Sequence, residues 1–263
     1  MGHDISWYNF LPGYDALLAF FQEHFSRTVV FNNGILPAKG VFETVHHIVA
    51  ALLVFIVLAV LSLMAKYQMR NLQKVLIPSP KFNLLNFFEL ILQSCFNLMR
   101  DIIGPDYRRH IPMVGTLTIF ILFSNLLGLI PGFIPPTDNL NTTLSCGLLV
   151  FFYFNYQGFR VHGIGHITHL ANPIGAWWGW FLSPLFLPIE LIGLLVRPFS
   201  LGIRLAGNMI GDHKVVFAFA GVLPFLLPLP FMLLGLLVSL IQTAVFCILT
   251  CVYISLHTQE ASH

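Results

Sequence analysis

The chain has 263 residues, of which 57% are hydrophobic and only 9% are charged, whereas about a quarter of the residues in a soluble globular domain are charged. Its formal net charge of +2 is too small to indicate a nucleic-acid partner. Composition therefore excludes an ordinary soluble domain. Long apolar stretches recur along the chain, and about 20 such residues cross a hydrocarbon core, so we predict an integral membrane protein.

The first 44 residues are predicted to form an external N-terminal segment, and residues 45–263 a single membrane domain. Acidic and basic residues such as Asp4, Glu23 and Arg27 are scattered through this segment. A signal peptide instead has a short basic start followed by a compact apolar core. We therefore expect no signal peptide, and we expect the first membrane span to follow this segment.

Residues 45–65 form a continuous apolar stretch that ends at Lys66, Arg70 and Lys74. Seven of the thirteen basic residues lie between Lys66 and Arg109. Short loops rich in lysine and arginine usually stay in the cytoplasm. The first span is therefore predicted to run from the outside to the cytoplasm, which gives an external N-terminus and a cytoplasmic C-terminus.

Residues 82–101 combine apolar residues with four polar ones at helical spacing: Glu89, Gln93, Asn97 and Arg100. Residues three and four apart lie on one face of a helix. This pattern predicts an interfacial helix or a hairpin rather than a clean membrane span.

Residues 111–130 and 143–156 predict two further spans, joined by an external loop rich in proline and asparagine. By alternation, residues 160–173 form a cytoplasmic loop. Residues 177–220 and 222–256 are each longer than a perpendicular span, which predicts strong tilt or hairpins. The expected fold is all-α and polytopic, with about five transmembrane helices, an interfacial helix or hairpin, and two long tilted C-terminal helices.

Arg204 lies within one of these apolar regions. A cation at bilayer depth costs roughly 2.5–3.5 kcal/mol even on lenient insertion scales, so such residues usually have a partner, a wet cavity or a function. Glu190, Arg197 and Arg204 are spaced by seven and share one helical stripe, which Ser200 and Asn208 widen. The stripe indicates either an ion pathway or a buried ion-pair row that fixes packing.

His213 comes nine residues after Arg204, which places it on the opposite side of a helix at about 100° per residue. It lies in a charged triplet with Asp212 and Lys214, so it is either a proton relay or part of an aqueous helix end. The last helix carries a polar stripe that could line a wet cavity or bond a neighbouring helix: Ser239, Gln242, Thr243, Thr250, Tyr253 and His257.

Two other groups of residues are expected to have no functional role. The four cysteines lie in apolar segments without a paired framework, and we expect small buried hydrophobes. His162, His166 and His169 have a spacing that could ligate a metal on a helix, but Gly163 and Gly165 disfavour a helix there. We therefore expect no metal site and no cofactor.

Several segments closely resemble subunit a of the F-type ATP synthase. The resemblance rests on residues 197–209, which read RPFSLGIRLAGNM, on Gln242 and on residues 249–254, which read LTCVYI. Residues 123–131 (FSNLLGLIP), 136–141 (PTDNLN) and 188–190 (PIE) support it. It is strongest over residues 111–263, and the preceding part agrees only in pattern.

The resemblance implies a stator subunit that conducts ions, most often protons, through two offset half-channels against a rotating c ring. Arg204 would face the ring carboxylates as the essential ion-transfer residue. The implied channel-lining residues are Glu190, Ser200, Asn208, His213, Ser239, Gln242 and Tyr253. One position departs from the pattern, because many members carry a titratable residue where this chain has Gly235. His213 would then work with water, Asp138, Asn139 or Glu43, and Gly235 would tolerate glutamate or histidine as part of a wet channel.

The same resemblance implies a subunit that catalyses no bond-making step itself and has the c ring, peripheral-stalk b subunits, the remaining ATP synthase subunits and membrane lipid as partners. The implied location is the inner membrane of a bacterium, with an organellar energy-transducing membrane as the alternative. The alternative function is a secondary transporter with a substrate site between Glu190 and Arg204. Inverted repeats would be expected for such a transporter, and the sequence has no such pairing.

Overall fold

The computed structural model describes residues 6–25, 45–69, 84–130, 132–163, 179–220 and 228–258. All regular structure in these ranges is helical, which confirms the all-α prediction. The seven α-helices are α1 (Tyr14–Phe25), α2 (His46–Met69), α3 (Leu84–Ile103), α4 (Tyr107–Leu127), α5 (Leu140–His162), α6 (Gly179–Ala220) and α7 (Pro228–Thr258). Two short 3-10 helices cover Trp7–Phe10 and Pro136–Asp138.

Three helices in the described ranges are long and apolar enough to cross a membrane, in α2, α4 and α7: His46–Tyr67, Tyr107–Leu127 and Pro228–Thr258. This agrees with the polytopic membrane fold predicted from the sequence. α5 and α6 are not among these three helices, and their assignment as further spans stays a prediction.

α3 is one amphipathic helix and not a hairpin. Its four polar residues Glu89, Gln93, Asn97 and Arg100 are all exposed. Its opposite face buries Cys95, Met99 and Ile103, and the helix packs against α4 and α7. The spacing of the polar residues therefore predicted the exposed and core-facing sides of this helix correctly.

α5 is longer than the predicted 143–156 and begins and ends with identifiable caps. The Asn139 side chain accepts a hydrogen bond of 2.9 Å from the Asn141 N–H, which satisfies one unpaired donor of the first turn. Beyond the predicted end, Gln157 and Gly158 are still buried and the helix continues. It ends at Gly163, whose φ of 58° suits glycine. The loop expected from residue 160 was therefore placed too early.

α6 is a single helix that continues through its prolines, so the hairpin alternative for this region was wrong. Its 42 residues span about 63 Å at the α-helical rise, and the 31 residues of α7 span about 47 Å. Both exceed a hydrocarbon core of about 30 Å, which supports the prediction of two long, tilted C-terminal helices.

α5 and α6 pack backbone against backbone at two glycines. A Cβ added at Gly147 of α5 would lie 2.5 Å from the Pro198 carbonyl oxygen of α6. A Cβ added at Gly202 of α6 would lie 2.9 Å from the Leu144 Cα of α5. Small residues allow such close approach in membrane helices, so these two glycines set the spacing between α5 and α6.

α7 lies at the centre of the bundle, where it contacts α3, α4, α5 and α6. Among the side chains of this core that are almost fully buried are Met99, Ile121, Phe154, Leu205 and Phe246. All four cysteines are free and buried, as the sequence predicted, and Cys95 of α3 meets Cys247 of α7 with their sulfur atoms 3.5 Å apart.

The N-terminal segment packs against the loop that follows α4. The Trp7 N–H donates to the Gly132 carbonyl at 3.1 Å, and the hydroxyl of buried Tyr8 donates to the Ile134 carbonyl at 3.3 Å. Tyr14 stacks on His46 at the start of α2, with ring centroids 5.2 Å apart. The two segments that the sequence analysis expects outside the membrane therefore lie at the same end of the bundle.

Replacing Gly202 by alanine should separate α5 from α6 and destabilise the protein. Overpacking of this kind typically costs about 1–3 kcal/mol, and the thermal unfolding midpoint of the detergent-purified protein should fall. Gly193 is the matched control in the same helix, because a Cβ added there meets no atom within 4 Å. Gly193→Ala should be neutral or slightly stabilising, and an equal loss in both variants would contradict the assigned contact.

Candidate functional site

Arg204 lies on the outer surface of the bundle. It is exposed together with Ile203 and Gly207, whereas Leu205 and Ala206 are buried against the neighbouring helices. In the described ranges, no carboxylate lies within ion-pair distance of its guanidinium. The chain therefore presents a permanent cation on an apolar surface without supplying its counter-ion from the part that the structure describes.

The predicted stripe of Glu190, Arg197 and Arg204 divides into two parts. Glu190 Oε1 lies 3.6 Å from Arg197 Nη2, and the Arg197 guanidinium lies 5.6 Å from the centre of the Tyr253 ring. Arg204 is a further two turns along α6, so it lies about 21 Å from Glu190 along the helix axis. This distance removes the basis for a substrate site shared by Glu190 and Arg204.

One turn beyond Arg204, α6 is joined to α7 by a hydrogen bond between side-chain amides. Asn208 Nδ2 donates to Gln242 Oε1 at 2.8 Å, with Asn208 exposed and Gln242 buried. The bond fixes the rotation of α6 against α7 one turn from Arg204. Ser200, one turn before Arg204, is half-buried on the same helix.

The predicted polar stripe of α7 faces the interior of the bundle. The hydroxyls of Thr243 and Thr250 donate to carbonyls of their own helix at 2.8 Å, so these two residues need no wet cavity. Gln242 instead reaches across to α6. All members of the stripe are buried except Tyr253, which is half-buried: Ser239, Gln242, Thr243, Thr250 and His257. The hydrogen-bonding alternative is therefore correct for Gln242.

His213, which its spacing from Arg204 places on the opposite side of α6, faces the end of α4. Its Nε2 lies 3.0 Å from the Gly128 carbonyl oxygen, and since a carbonyl only accepts, Nε2 carries the proton. A Cβ at Gly128 would lie 2.9 Å from that nitrogen and 2.5 Å from the Met209 Cε. Gly128 thus makes the close approach of the imidazole possible.

Of the expected partners of His213, Asp138 is the one whose charge the structure brings near it. Burial raises the pKa of the Asp138 carboxyl, and the charges of His213 and Lys214 act in the opposite direction. Within the described ranges, Asp138 Oδ1 is buried without a hydrogen-bond partner. Asn139 is used as the cap of α5, and Glu43 lies outside the described residues.

The main residue that the sequence analysis missed is Asp212. A Cβ added at Gly235 of α7 would clash with the Asp212 carboxylate of α6, and Gly235 is buried. The position expected to line an open channel is therefore filled by a carboxylate from the facing helix. Its spacing could have identified it, since Asp212 follows Asn208 by four residues and Arg204 by eight, which continues the same stripe.

The predicted histidine cluster lies outside the described residues, which include neither His166, His169 nor the side chain of His162. In the part of the chain that is described, no group of three histidine, cysteine, aspartate or glutamate side chains is arranged to hold a metal ion.

Gly128→Ala should push the His213 imidazole away from its carbonyl partner. Because Nε2 would lose that hydrogen bond, we expect faster modification of His213 by diethyl pyrocarbonate, measured by mass spectrometry, and a loss of about 1–3 kcal/mol in stability. Gly115→Ala in the same helix is the control, since a Cβ there meets no atom within 4 Å. Unchanged His213 reactivity in Gly128→Ala would refute this contact.

Comparisons with known proteins identify the family of the chain. The family model for the ATP synthase A chain matches residues 47–255. The chain is 43% identical over 244 residues to ATP synthase subunit a 1 of Syntrophotalea carbinolica, covering 93% of this chain and 97% of that protein. It is 41% identical over 214 residues to ATP synthase subunit a of Sorangium cellulosum, covering 81% and 82%. The chain therefore belongs to the ATP synthase subunit a family.

Proposed function

We propose that this chain is the membrane stator subunit of a bacterial ATP synthase and conducts protons through two half-channels against a rotating ring of c subunits. Membership of the subunit a family supports a role in proton translocation within the membrane part of that complex. The observation that carries the finer proposal is the exposed position of Arg204, without a carboxylate partner in the described part of the chain.

The counter-ion of Arg204 comes from another subunit. Leaving this cation unpaired in lipid would cost several kcal/mol. Glu190, the acidic residue of its predicted stripe, is paired with Arg197, and the Asp212 carboxylate lies against Gly235 of α7. The surface beside Arg204 is also open, because a Cβ added at Gly207 or Gly211 would meet no atom within 4 Å. A neighbouring helix can approach such a surface closely, which suits a ring of helices that carry carboxylates.

A guanidinium suits this task better than an amine. Its pKa above about 12 keeps it charged in apolar surroundings, whereas a lysine shifts its pKa readily when buried. A cation within several ångströms of a carboxyl favours the ionised form of that carboxyl. Arg204 thus promotes release of the proton from each ring carboxyl that reaches it, and its fixed charge blocks a direct leak between the half-channels.

The two half-channels reach the ring on either side of Arg204 along α6. His213 and Asp138 belong to the outer one, at the end of the bundle that also holds the N-terminal segment. Glu190, with Arg197 and Tyr253 beside it, belongs to the inner one. Ser200, Asn208, Ser239 and Gln242 lie between these groups and line the path near the arginine.

The chain itself carries out no bond-making step, and ATP formation belongs to a soluble head that the rotating ring drives. Its partners are the c ring, the peripheral-stalk b subunits, the remaining subunits and membrane lipid. The protein lies in the inner membrane with its N-terminus outside and its C-terminus in the cytoplasm. The bacterial origin of the similar proteins favours this membrane over an organellar one.

Arg204→Ala and Arg204→Lys should both abolish ATP-driven proton pumping, since the ring carboxyls would no longer meet a permanent cation at the boundary between the half-channels. Pumping is measured as ATP-driven acidification of inverted membrane vesicles with a pH-sensitive dye. Assembly is checked by co-purification of the ring and the catalytic head with this subunit, and it should be unchanged.

Arg160→Ala is the matched control for that experiment, because it removes the same charge from an exposed position at the far end of α5. It should pump like the parent protein. Full pumping by an assembled complex with Arg204→Ala would rule out the proposed role of Arg204.

A further inference from the structure

The N-terminal segment carries several large apolar side chains on its outer surface. Trp7 is 60% exposed, Phe10 76% and Phe20 52%, and Leu11 and Leu17 are exposed as well. They come from the 3-10 helix at its start, the turn that follows it and α1, and the two helices pack on each other. A group of exposed apolar side chains of this kind indicates a binding surface. We call these five residues the N-terminal apolar surface.

α1 separates its exposed apolar side chains from an exposed carboxylate. Leu17 and Phe20 are three residues apart and lie on one face of the helix. Asp15 is also exposed, and it lies about 160° around the helix from Leu17 at 100° per residue. The 12 residues of α1 span about 18 Å, which is too short to cross a hydrocarbon core of about 30 Å. α1 therefore has the pattern and the length of a helix that lies on a membrane surface.

Hydrogen bonds tie the start of α1 to the level at which a membrane span begins. The Tyr14 hydroxyl accepts a hydrogen bond of 3.4 Å from the Val45 N–H and lies 3.3 Å from His46 Nδ1. His46 is the first residue of α2 and of the stretch that is apolar enough to cross a membrane. Within its first three turns α2 exposes Leu52 and Phe55. The start of α1 therefore lies close to the boundary between headgroups and hydrocarbon.

The 3-10 helix is held against the loop after α4 by the bonds of Trp7 and Tyr8 to the carbonyls of Gly132 and Ile134. Among the described elements, α1 packs mainly on this 3-10 helix and not along α2. α1 thus lies outside the helix bundle, at the end where α2 begins. Headgroups surround a membrane protein at this level.

The composition of the segment fits a lipid surface bound by apolar burial. Tryptophan, phenylalanine and leucine are the residues that interfacial helices insert between headgroups and acyl chains. Residues 6–25 contain no lysine or arginine, so these residues gain nothing from attraction to anionic headgroups. Binding should therefore depend on the apolar side chains and not on the charge of the lipid.

We propose that the N-terminal apolar surface docks on the membrane leaflet at this end of the bundle, which is the external leaflet in the predicted orientation. Leu17 and Phe20 lie at the boundary between headgroups and acyl chains, and Asp15 faces water. Because the segment is bonded to the start of α2 and to the loop after α4, its docking holds both at a fixed depth. The inference goes beyond proton conduction, and its test does not depend on the role of Arg204.

The test uses the whole complex in phosphatidylcholine vesicles that contain a lipid with a nitroxide quencher near its headgroup. Leu17→Cys and Asp15→Cys are each labelled with an environment-sensitive fluorophore. The four native cysteines of the chain are buried, and mass spectrometry checks that the label is confined to the new one. The label at 17 should be quenched at least about twofold more than the label at 15, because interfacial helices bury their apolar face in this boundary. Added phosphatidylglycerol or salt should leave that ratio unchanged.

Equal quenching at the two positions would overturn the inference, because the apolar face would then meet water or a protein partner. A ratio that falls in high salt would also overturn it, since the attachment would then be electrostatic. Phe20→Cys on the same face serves as the reporter if Leu17→Cys does not assemble, with assembly checked by ATP-driven pumping. Added to labelled Leu17→Cys, Phe20→Glu should lower the quenching to that at 15, whereas Asp15→Asn should not change it.

Discussion

A permanent cation that is held on the apolar surface of a helix bundle is the constraint on which the arrangement around it depends. Arg204 cannot lose its charge by deprotonation. Glu190 is paired with Arg197, which lies two turns before Arg204 on α6. The helix must therefore turn this side outward and keep it there. The hydrogen bond from Asn208 to Gln242 and the close contact of Gly202 with α5 fix that rotation from two sides.

The same rotation distributes the other polar groups of α6. With Arg204 outward, His213 faces the end of α4, and Asp212 faces α7. The groups on the two sides of the arginine are thus separated by helix geometry alone, and no loop or lid is needed to keep them apart. Glycines at 128, 202 and 235 allow this packing, since each receives a neighbouring atom where a Cβ would stand.

Periodicity within one helix was enough to predict much of this arrangement. The exposed face of α3, the buried stripe of α7 and the opposite placement of Arg204 and His213 all followed from spacing. What spacing lacks is the partner across an interface. Position 235 was expected from the sequence to line an open channel. The Asp212 carboxylate occupies that space instead, and spacing within α7 could not show this because Asp212 belongs to another helix. The end of α5 was misjudged for the same reason, since Gln157 and Gly158 beyond the predicted end are buried in the bundle.

The contact between Asp212 and Gly235 also has an evolutionary consequence. Because the carboxylate and any side chain at 235 exclude each other from one volume, the effect of a substitution at either position depends on the residue at the other. A lineage that gains a side chain at 235 passes through a crowded intermediate unless position 212 shrinks first, and shrinking first leaves a void. The two positions are therefore expected to covary among related sequences, as an epistatic pair whose members change in close succession.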